Sequence, residues 1–216
     1  MDAHALAHPH GPAAGDVPQD AFGTASTGKI AMWLFLLADA FSFSGLLLGY
    51  GILRAGRDDW PVPSEHLGIN LTAVLTFWLI CSSVTMVMAV SAAHEGDRAG
   101  TLKWLGLTVL GGVGFLGGQA YEYTHLINHG ITFNQCLPEG ATAYCPPQFA
   151  STFFMITGFH GLHVLTGTIY NFVVLANTAR GKFTGAENHN QVEIAGLFWH
   201  FVDLVWILVF TFVYLV

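Results

Sequence analysis

The sequence predicts an all-α, polytopic membrane protein in which five transmembrane helices form a bundle. Of its 216 residues, 53% are hydrophobic and only 10% are charged, whereas soluble domains carry about 25% charged residues. The chain also contains five continuous apolar runs, and each reaches the ~20 residues that a spanning helix needs. Because these runs are continuous rather than alternating, they exclude a transmembrane β-barrel.

A polar N-terminal tail precedes the five runs. Residues 1–28 lack apolar periodicity, so they are predicted to form a flexible cytoplasmic tail. They also lack the basic and apolar regions of a cleavable signal. Residues 29–216 form the predicted transmembrane domain. Because backbone polar groups inside a bilayer must be satisfied within the chain, each run is predicted to be a helix. The predicted helices cover about 30–53, 69–93, 102–127, 149–179 and 193–216.

The basic residues outside the helices predict the orientation in the membrane. Five helices place the two termini on opposite sides. The side of the N-terminus carries Lys29, Arg98, Lys103, Arg180 and Lys182. The opposite side carries only Arg54 and Arg57. By the positive-inside rule the N-terminus is cytoplasmic and the C-terminus lies outside. No basic patch is present, which argues against nucleic-acid binding.

The third loop, about Asn128–Gln148, then lies on the outer side and contains Cys136 and Cys145. Disulfides form in such oxidising compartments. The spacing of the two cysteines in the sequence does not establish that their sulfur atoms reach bonding distance. A Cys136–Cys145 disulfide and two free thiols therefore both remain open.

The third predicted helix is rich in glycine, in the segment Gly111-Gly-Val-Gly-Phe-Leu-Gly-Gly118. Small residues let helices approach closely in membranes. A phosphate-binding loop would need a preceding strand and a Lys-Ser/Thr pair, which are missing here. The segment therefore predicts close helix packing.

Ionisable side chains inside predicted membrane helices are functional-site hypotheses by default. Six such residues are Asp39, Glu122, His160, His163, His200 and Asp203. Asp39 and Asp203 each lie ten residues from a charged residue at the inner helix end, roughly 15 Å deep at ~1.5 Å per residue. The two histidines of the fourth helix lie three apart and share a face. Their depths allow these residues to meet, whereas Glu122 lies near the outer end, where an interface anchor explains it as well as chemistry does.

The residues alone leave three interpretations open. Histidines on two helices can ligate haem, which would make the chain a haem-b membrane anchor. Carboxylates buried in hydrocarbon can line a proton or ion pathway. Polar side chains on neighbouring helices can also satisfy one another in a subunit that has no redox centre.

Several segments resemble subunit III of the haem–copper cytochrome oxidases. Residues Ser151–Gly167 (STFFMITGFHGLHVLTG) resemble the signature helix of that family, and Glu193–Trp206 (EIAGLFWHFVDLVW) resembles its last helix. Three shorter segments are similar to further family segments: Lys29–Phe41, Gln119–Tyr123 and His189–Glu193, with its His-x-x-x-Glu spacing. The resemblance runs in order from about Lys29 to Val216.

This resemblance implies a non-catalytic subunit III of a proton-pumping terminal oxidase, a cytochrome c oxidase that reduces O₂ to water in aerobic respiration. Family members lie against the catalytic subunit I, and subunit II and other oxidase subunits are further partners in the complex. Haem and copper belong to those partner subunits. Family members bind phospholipid in a cleft, support proton uptake and stabilise subunit I during turnover. The implied location is a bacterial inner membrane, and membership of a respiratory supercomplex stays open.

The resemblance also implies the roles of individual residues. It implies no catalytic residue and no metal ligand. The positions that support proton uptake and lipid binding fall on Asp39, Glu122, His160, His163, His189, Glu193, His200 and Asp203. The family usually has glutamate where this chain has the shorter Asp39. Its fuller form has seven helices, so here the lipid cleft is either open or closed by another subunit. A quinol oxidase subunit and an accessory subunit of a nitric oxide reductase remain alternatives.

Overall fold

The computed structural model describes residues 26–62, 67–133, 135–136, 146–181 and 186–215, and it confirms the five-helix membrane bundle. The helices are α1 (Thr27–Ala55), α2 (Ile69–His94), α3 (Arg98–Asn128), α4 (Pro147–Ala179) and α5 (Ala186–Val209), and a π-helical segment, Phe210–Leu215, continues α5. Five helical spans are long and apolar enough to cross a membrane; the last of these is His189–Leu215. The chain is therefore a multi-pass membrane protein.

A short antiparallel ribbon lies in the loop between α3 and α4. It pairs β1 (Ile131–Thr132) with β2 (Gln135–Cys136). Cys145 and the side chain of Cys136 lie outside the described part of the chain, as does nearly all of the predicted tail. The disulfide and the flexible tail therefore stay predictions.

Local capping explains where α3 begins. The Oδ1 atom of Asp97 accepts a hydrogen bond of 3.1 Å from the backbone N–H of Ala99, so α3 starts at Arg98 rather than at the first apolar residues after it. Gly96 adopts a φ of 74° in the tight turn before it, a conformation that glycine reaches without strain. The side chain of Arg98 donates to the carbonyl oxygens of Thr178 and Ala179, which satisfies two carbonyls at the end of α4.

Helix α5 is the centre of the bundle. It packs against α2, α4 and α1, and α3 lies between α2 and α4. Two indole N–H groups of α5 donate to hydroxyls of α2, from Trp199 to Ser82 at 3.2 Å and from Trp206 to Thr76 at 2.9 Å. Bonds of this kind satisfy polar groups within the bundle.

Helix α1 lies at the periphery of the described bundle. It contacts α5 and α4 and exposes a face of large apolar side chains, including Trp33, Phe35 and Phe41. A face of this composition suits hydrocarbon or another membrane subunit, because lipid tails are as apolar as these side chains.

The predicted close packing around the glycines of α3 is confirmed. A Cβ atom at Gly112 would overlap the hydroxyl of Thr168 on α4 and approach the Trp199 ring of α5 to 2.7 Å. A Cβ at Gly111 would overlap Ser82 of α2. Helix α3 therefore approaches three neighbours at distances that a larger residue would prevent.

Candidate functional site inside the helix bundle

The structure places the eight predicted polar positions in separate groups along the bundle rather than in one cluster. One group joins α1 to α4, a second joins α2 to α5, a third lies where α2, α3 and the π-helical segment meet, and a fourth lies at the start of α5. The remaining residue, His160, is enclosed by aromatic rings.

The first group is Asp39 of α1 with His163 of α4. The Oδ2 atom of Asp39 lies 3.2 Å from Nε2 of His163. The Nδ1 atom of the same imidazole lies 2.8 Å from the backbone carbonyl oxygen of Phe159. Phe43 covers the pair, with its ring centroid 5.2 Å from that of His163. Asp39 is only 7% exposed, so this carboxyl group lies away from the surface of the chain.

This geometry fixes how many protons the pair needs. A carbonyl oxygen only accepts hydrogen bonds, so Nδ1 of His163 carries a hydrogen. Nε2 then faces Asp39 Oδ2, and two lone pairs at 3.2 Å would repel each other. A proton on either atom makes the contact attractive, as a neutral pair or as an ion pair. The Asp39–His163 pair therefore needs one proton, on either side chain, for this contact between two helices to be attractive.

His160 lies one turn before His163 but faces the bundle interior. Its ring is fully buried, 4.8 Å from the Trp206 ring and 5.8 Å from the Phe115 ring, centroid to centroid. Neither ring nitrogen has a hydrogen-bond partner within the described ranges. The two histidines therefore do not share one face as predicted, because His163 is directed to α1 and His160 to α3 and α5.

Glu122 is a buried carboxylate with hydrogen bonds on both of its oxygens. Its Oε1 accepts from the Thr72 hydroxyl at 2.9 Å, and its Oε2 accepts from Tyr214 at 2.9 Å and from the amide of Gln119 at 3.2 Å. Glu122 is 3% exposed, whereas its neighbour Tyr121 is 63% exposed. Glu122 is therefore a buried bridge between helices, and Tyr121 is the residue that faces outward at this level.

His200 and Asp203 of α5 lie beside a hydroxyl group of α2. The Oγ atom of Ser83 lies 2.7 Å from Nδ1 of His200 and is close to the Asp203 side chain. The Oδ1 atom of Asp203 is buried and has no hydrogen-bond partner among the described residues. The Ser83–His200 contact gives α5 a further polar connection to α2, beside the two indole hydrogen bonds.

The fourth group lies where α1 and α5 begin and α2 ends. Glu193 accepts from Lys29 of α1 on one carboxylate oxygen. Its other oxygen lies 2.7 Å from Nε2 of His94 and 3.0 Å from Nε2 of His189. Two imidazoles, a carboxylate and an ammonium group therefore meet at one end of three helices.

Two grooves adjoin these groups. One, of about 400 Å³, lies between α1, α2 and α5 and reaches from Lys29 and Glu193 to His200. The other, of about 580 Å³, lies near the opposite end of α1 and has apolar walls that include Leu48 and Phe212. Tyr50 and Arg54 also line the second groove.

Several members of these groups were not found by sequence reasoning. Ser83 and Thr72 are ordinary hydroxyl residues of an apolar run, and only the packing of α2 brings them to Asp203 and Glu122. Gln119 carried a usable signal, because it precedes Glu122 by three residues and so lies on the same helix face. His94, at the end of α2, becomes significant only when α5 is folded beside it.

The fold and these groups define a polytopic helical membrane subunit whose polar side chains connect neighbouring helices. The family model of cytochrome c oxidase subunit III matches residues 25–216. The chain belongs to the cytochrome c oxidase subunit III family and is thus a subunit of an oxidoreductase complex.

Relatives from three bacteria agree with this assignment. The chain is 39% identical over 186 residues to cytochrome c oxidase subunit 3 of Corynebacterium diphtheriae, covering 85% of each chain. It is 39% identical over 184 residues to the probable cytochrome c oxidase subunit 3 of Mycobacterium leprae, again covering 85% of each. For cytochrome c oxidase subunit 3 of Synechocystis the identity is 40% over 183 residues, which is 84% of this chain and 72% of the relative.

Proposed function

We propose that the chain is the non-catalytic subunit III of a proton-pumping cytochrome c oxidase in a bacterial inner membrane, with its N-terminus in the cytoplasm. It lies against subunit I, holds phospholipid and helps protons reach subunit I, whereas haem and copper belong to partner subunits. The observation that carries the proposal is the Asp39–His163 pair, a buried carboxyl group and an imidazole 3.2 Å apart that join α1 to α4 inside the bundle. The names of the relatives favour cytochrome c over quinol as electron donor.

Helix packing supports an accessory role over a haem anchor. A haem ligand needs a free imidazole nitrogen and room for the macrocycle beside it. The nitrogens of His163 face Asp39 and the Phe159 carbonyl oxygen. His160 is packed against Trp206 and Phe115, which occupy the space that a macrocycle would need.

The 400 Å³ groove supports a role in collecting protons. It connects the His94–His189–Glu193 end of the bundle with His200, ~10 Å further along α5 at ~1.5 Å per residue. Exchangeable groups at its mouth and at its inner end can take up protons and pass them on. Under the proposed orientation this mouth faces the cytoplasm, the side from which a proton-pumping oxidase takes up protons.

Replacing Asp39 with asparagine tests this role. Asparagine keeps the shape of the side chain but cannot take up or release a proton, so we expect slower proton uptake and a several-fold faster loss of activity during sustained turnover. The measurement is proton uptake and activity over many turnovers in the purified complex. Asp39→Glu should restore both, and Asp58→Asn, at an exposed aspartate outside the bundle, should change neither.

An Asp39→Asn complex with an unchanged initial rate, unchanged proton uptake and an unchanged inactivation rate would show that the pair has only a structural role. If the Asp39→Asn complex lost both its activity and this subunit, the same measurements on the Asp39→Glu complex, which retains the carboxyl group, would test the role of Asp39 instead.

The second groove supports the phospholipid part of the proposal. Its walls are apolar, and at its rim the Nη1 atom of Arg54 and the hydroxyl of Tyr50 are buried without a hydrogen-bond partner in the described chain. A guanidinium group matches the oxygen geometry of a phosphate. An acyl chain along Leu48 and Phe212 would place a lipid phosphate near Arg54.

We expect Arg54→Gln to release a tightly bound phospholipid from the purified complex, because the neutral amide removes the charge that faces the phosphate. Quantitative mass spectrometry of the co-purified lipids measures this loss. Arg57→Gln is the matched control, since Arg57 lies nearby but pairs with Asp59 at 2.9 Å. Equal lipid content in both variants and in the unmodified complex would contradict a phospholipid at this groove.

A further inference from the structure

A compact set of nitrogen and oxygen ligands lies at the end of the bundle where α2 ends and α5 begins. His94 comes from α2, and His189 and Glu193 come from successive turns of α5. One ligand atom from each of the three lies within 4.8 Å of the others. Nδ1 of His94 also contacts Nε2 of His189, with the two rings nearly perpendicular at 86°.

We infer that His94, His189 and Glu193 form a binding site for a divalent metal ion of the zinc class. Two imidazoles with one carboxylate suit zinc and its transition-metal neighbours. Calcium and magnesium prefer oxygen ligands throughout, so this donor set disfavours them. A proton on one of the two facing imidazole nitrogens keeps their lone pairs from repelling each other, and a metal ion that replaced this proton would be met by both lone pairs.

The surroundings of Glu193 position its carboxylate for such an ion. One oxygen, Oε2, pairs with Lys29, and the other, Oε1, faces both imidazoles. The ammonium group therefore orients the carboxylate without occupying the oxygen that faces the site. Partners of this kind, outside the ligands themselves, fix the orientation of metal-binding side chains.

The site is also accessible without opening the bundle. The side chains of His94, His189 and Glu193 are 49%, 27% and 16% exposed, and the 400 Å³ groove opens beside Glu193. An ion bound here would join α2 to α5 directly and α1 through Lys29. It would also occupy the proposed mouth of the proton-collecting groove, so binding is expected to slow proton uptake through it.

Zinc binding to the purified oxidase complex, freed of adventitious metal with a chelator, tests the inference. We expect the unmodified complex to bind Zn²⁺ at a site that His94→Gln and Glu193→Gln each weaken at least about 10-fold, because losing a ligand should cost no less than losing its outer-shell partner. Equilibrium dialysis with total zinc analysis measures this. Glu95→Gln, at the exposed carboxylate next to His94, should leave the affinity unchanged.

X-ray absorption at the zinc edge gives a second measurement that needs no variant. With substoichiometric Zn²⁺ the unmodified complex should show imidazole scattering at ~2.0–2.1 Å, the distance expected for histidine ligands. An all-oxygen shell, or equal zinc affinity in the unmodified, His94→Gln and Glu193→Gln complexes, would overturn the inference. Binding is measured without turnover, so it succeeds or fails independently of the proton and lipid roles proposed above. An Asp39→Asn complex should bind Zn²⁺ normally.

Discussion

Replacing Glu122 with leucine is expected to destabilise the bundle by roughly 2–5 kcal/mol, because two buried donors would lose their acceptor and each unmet donor costs about 1–3 kcal/mol before relaxation. Those donors are the hydroxyl of Tyr214 and the amide of Gln119, whereas the Thr72 hydroxyl keeps the Gly68 carbonyl oxygen as an acceptor. The substitution also removes the hydrogen bonds that connect α3 to α2 and to the π-helical segment. The midpoint of detergent-induced unfolding of the purified subunit measures the effect.

Two further variants make this test specific. Glu122→Gln keeps an acceptor oxygen but directs an N–H group at one of the donors, so its cost should be intermediate. Tyr121→Phe changes the adjacent residue, which is 63% exposed, and should have almost no effect on the unfolding midpoint. If Glu122→Leu were as stable as Tyr121→Phe, the hydrogen-bond network would not contribute to stability.

The Glu122 network shows where sequence reasoning reached its limit. Apolar runs establish which segments cross the membrane, because every backbone group there must be satisfied within a helix. They do not show which way a single carboxylate faces. The flanking tyrosines favoured an interface anchor and a chemical role for Glu122 equally. Only the packing of Thr72 and Tyr214 around Glu122 shows that its carboxyl group faces the bundle interior. Gln119 alone was accessible from spacing.

In the inner half of the bundle, too, the sequence predicted the depth of the polar residues but not their direction. Helix rise correctly indicated that α1 and α5 start at the same level, as the Lys29–Glu193 contact shows. Residues at similar depth were then expected to meet. Asp39 and His163 do meet, but His160 does not join them, because residues three apart on α4 differ in direction enough for His163 to face α1 while His160 faces Trp206. Depth follows from the sequence, whereas direction depends on which helix packs where.

Gly112→Leu is the second substitution for which we expect a large effect, a destabilisation of about 3 kcal/mol or more, because overpacking a tight contact typically costs about 1–3 kcal/mol for added methylenes alone. Here even a Cβ overlaps the Thr168 hydroxyl and reaches 2.7 Å from the Trp199 ring. Relief would require α3 to move away from α4 and α5. Gly112→Ala should therefore already destabilise the bundle, and leucine more so.

The matched control lies on the same helix. A Cβ at Gly117 meets nothing within 4 Å, and Gly117→Leu makes the same change in composition and in intrinsic helix propensity. The difference between the two unfolding midpoints therefore isolates the packing cost at Gly112. Equal midpoints for Gly112→Leu and Gly117→Leu would mean that α3 does not approach Thr168 and Trp199 this closely. Recovery of the Gly112→Ala midpoint by Thr168→Ala, which removes the overlapping hydroxyl, would locate the conflict at the contact between α3 and α4.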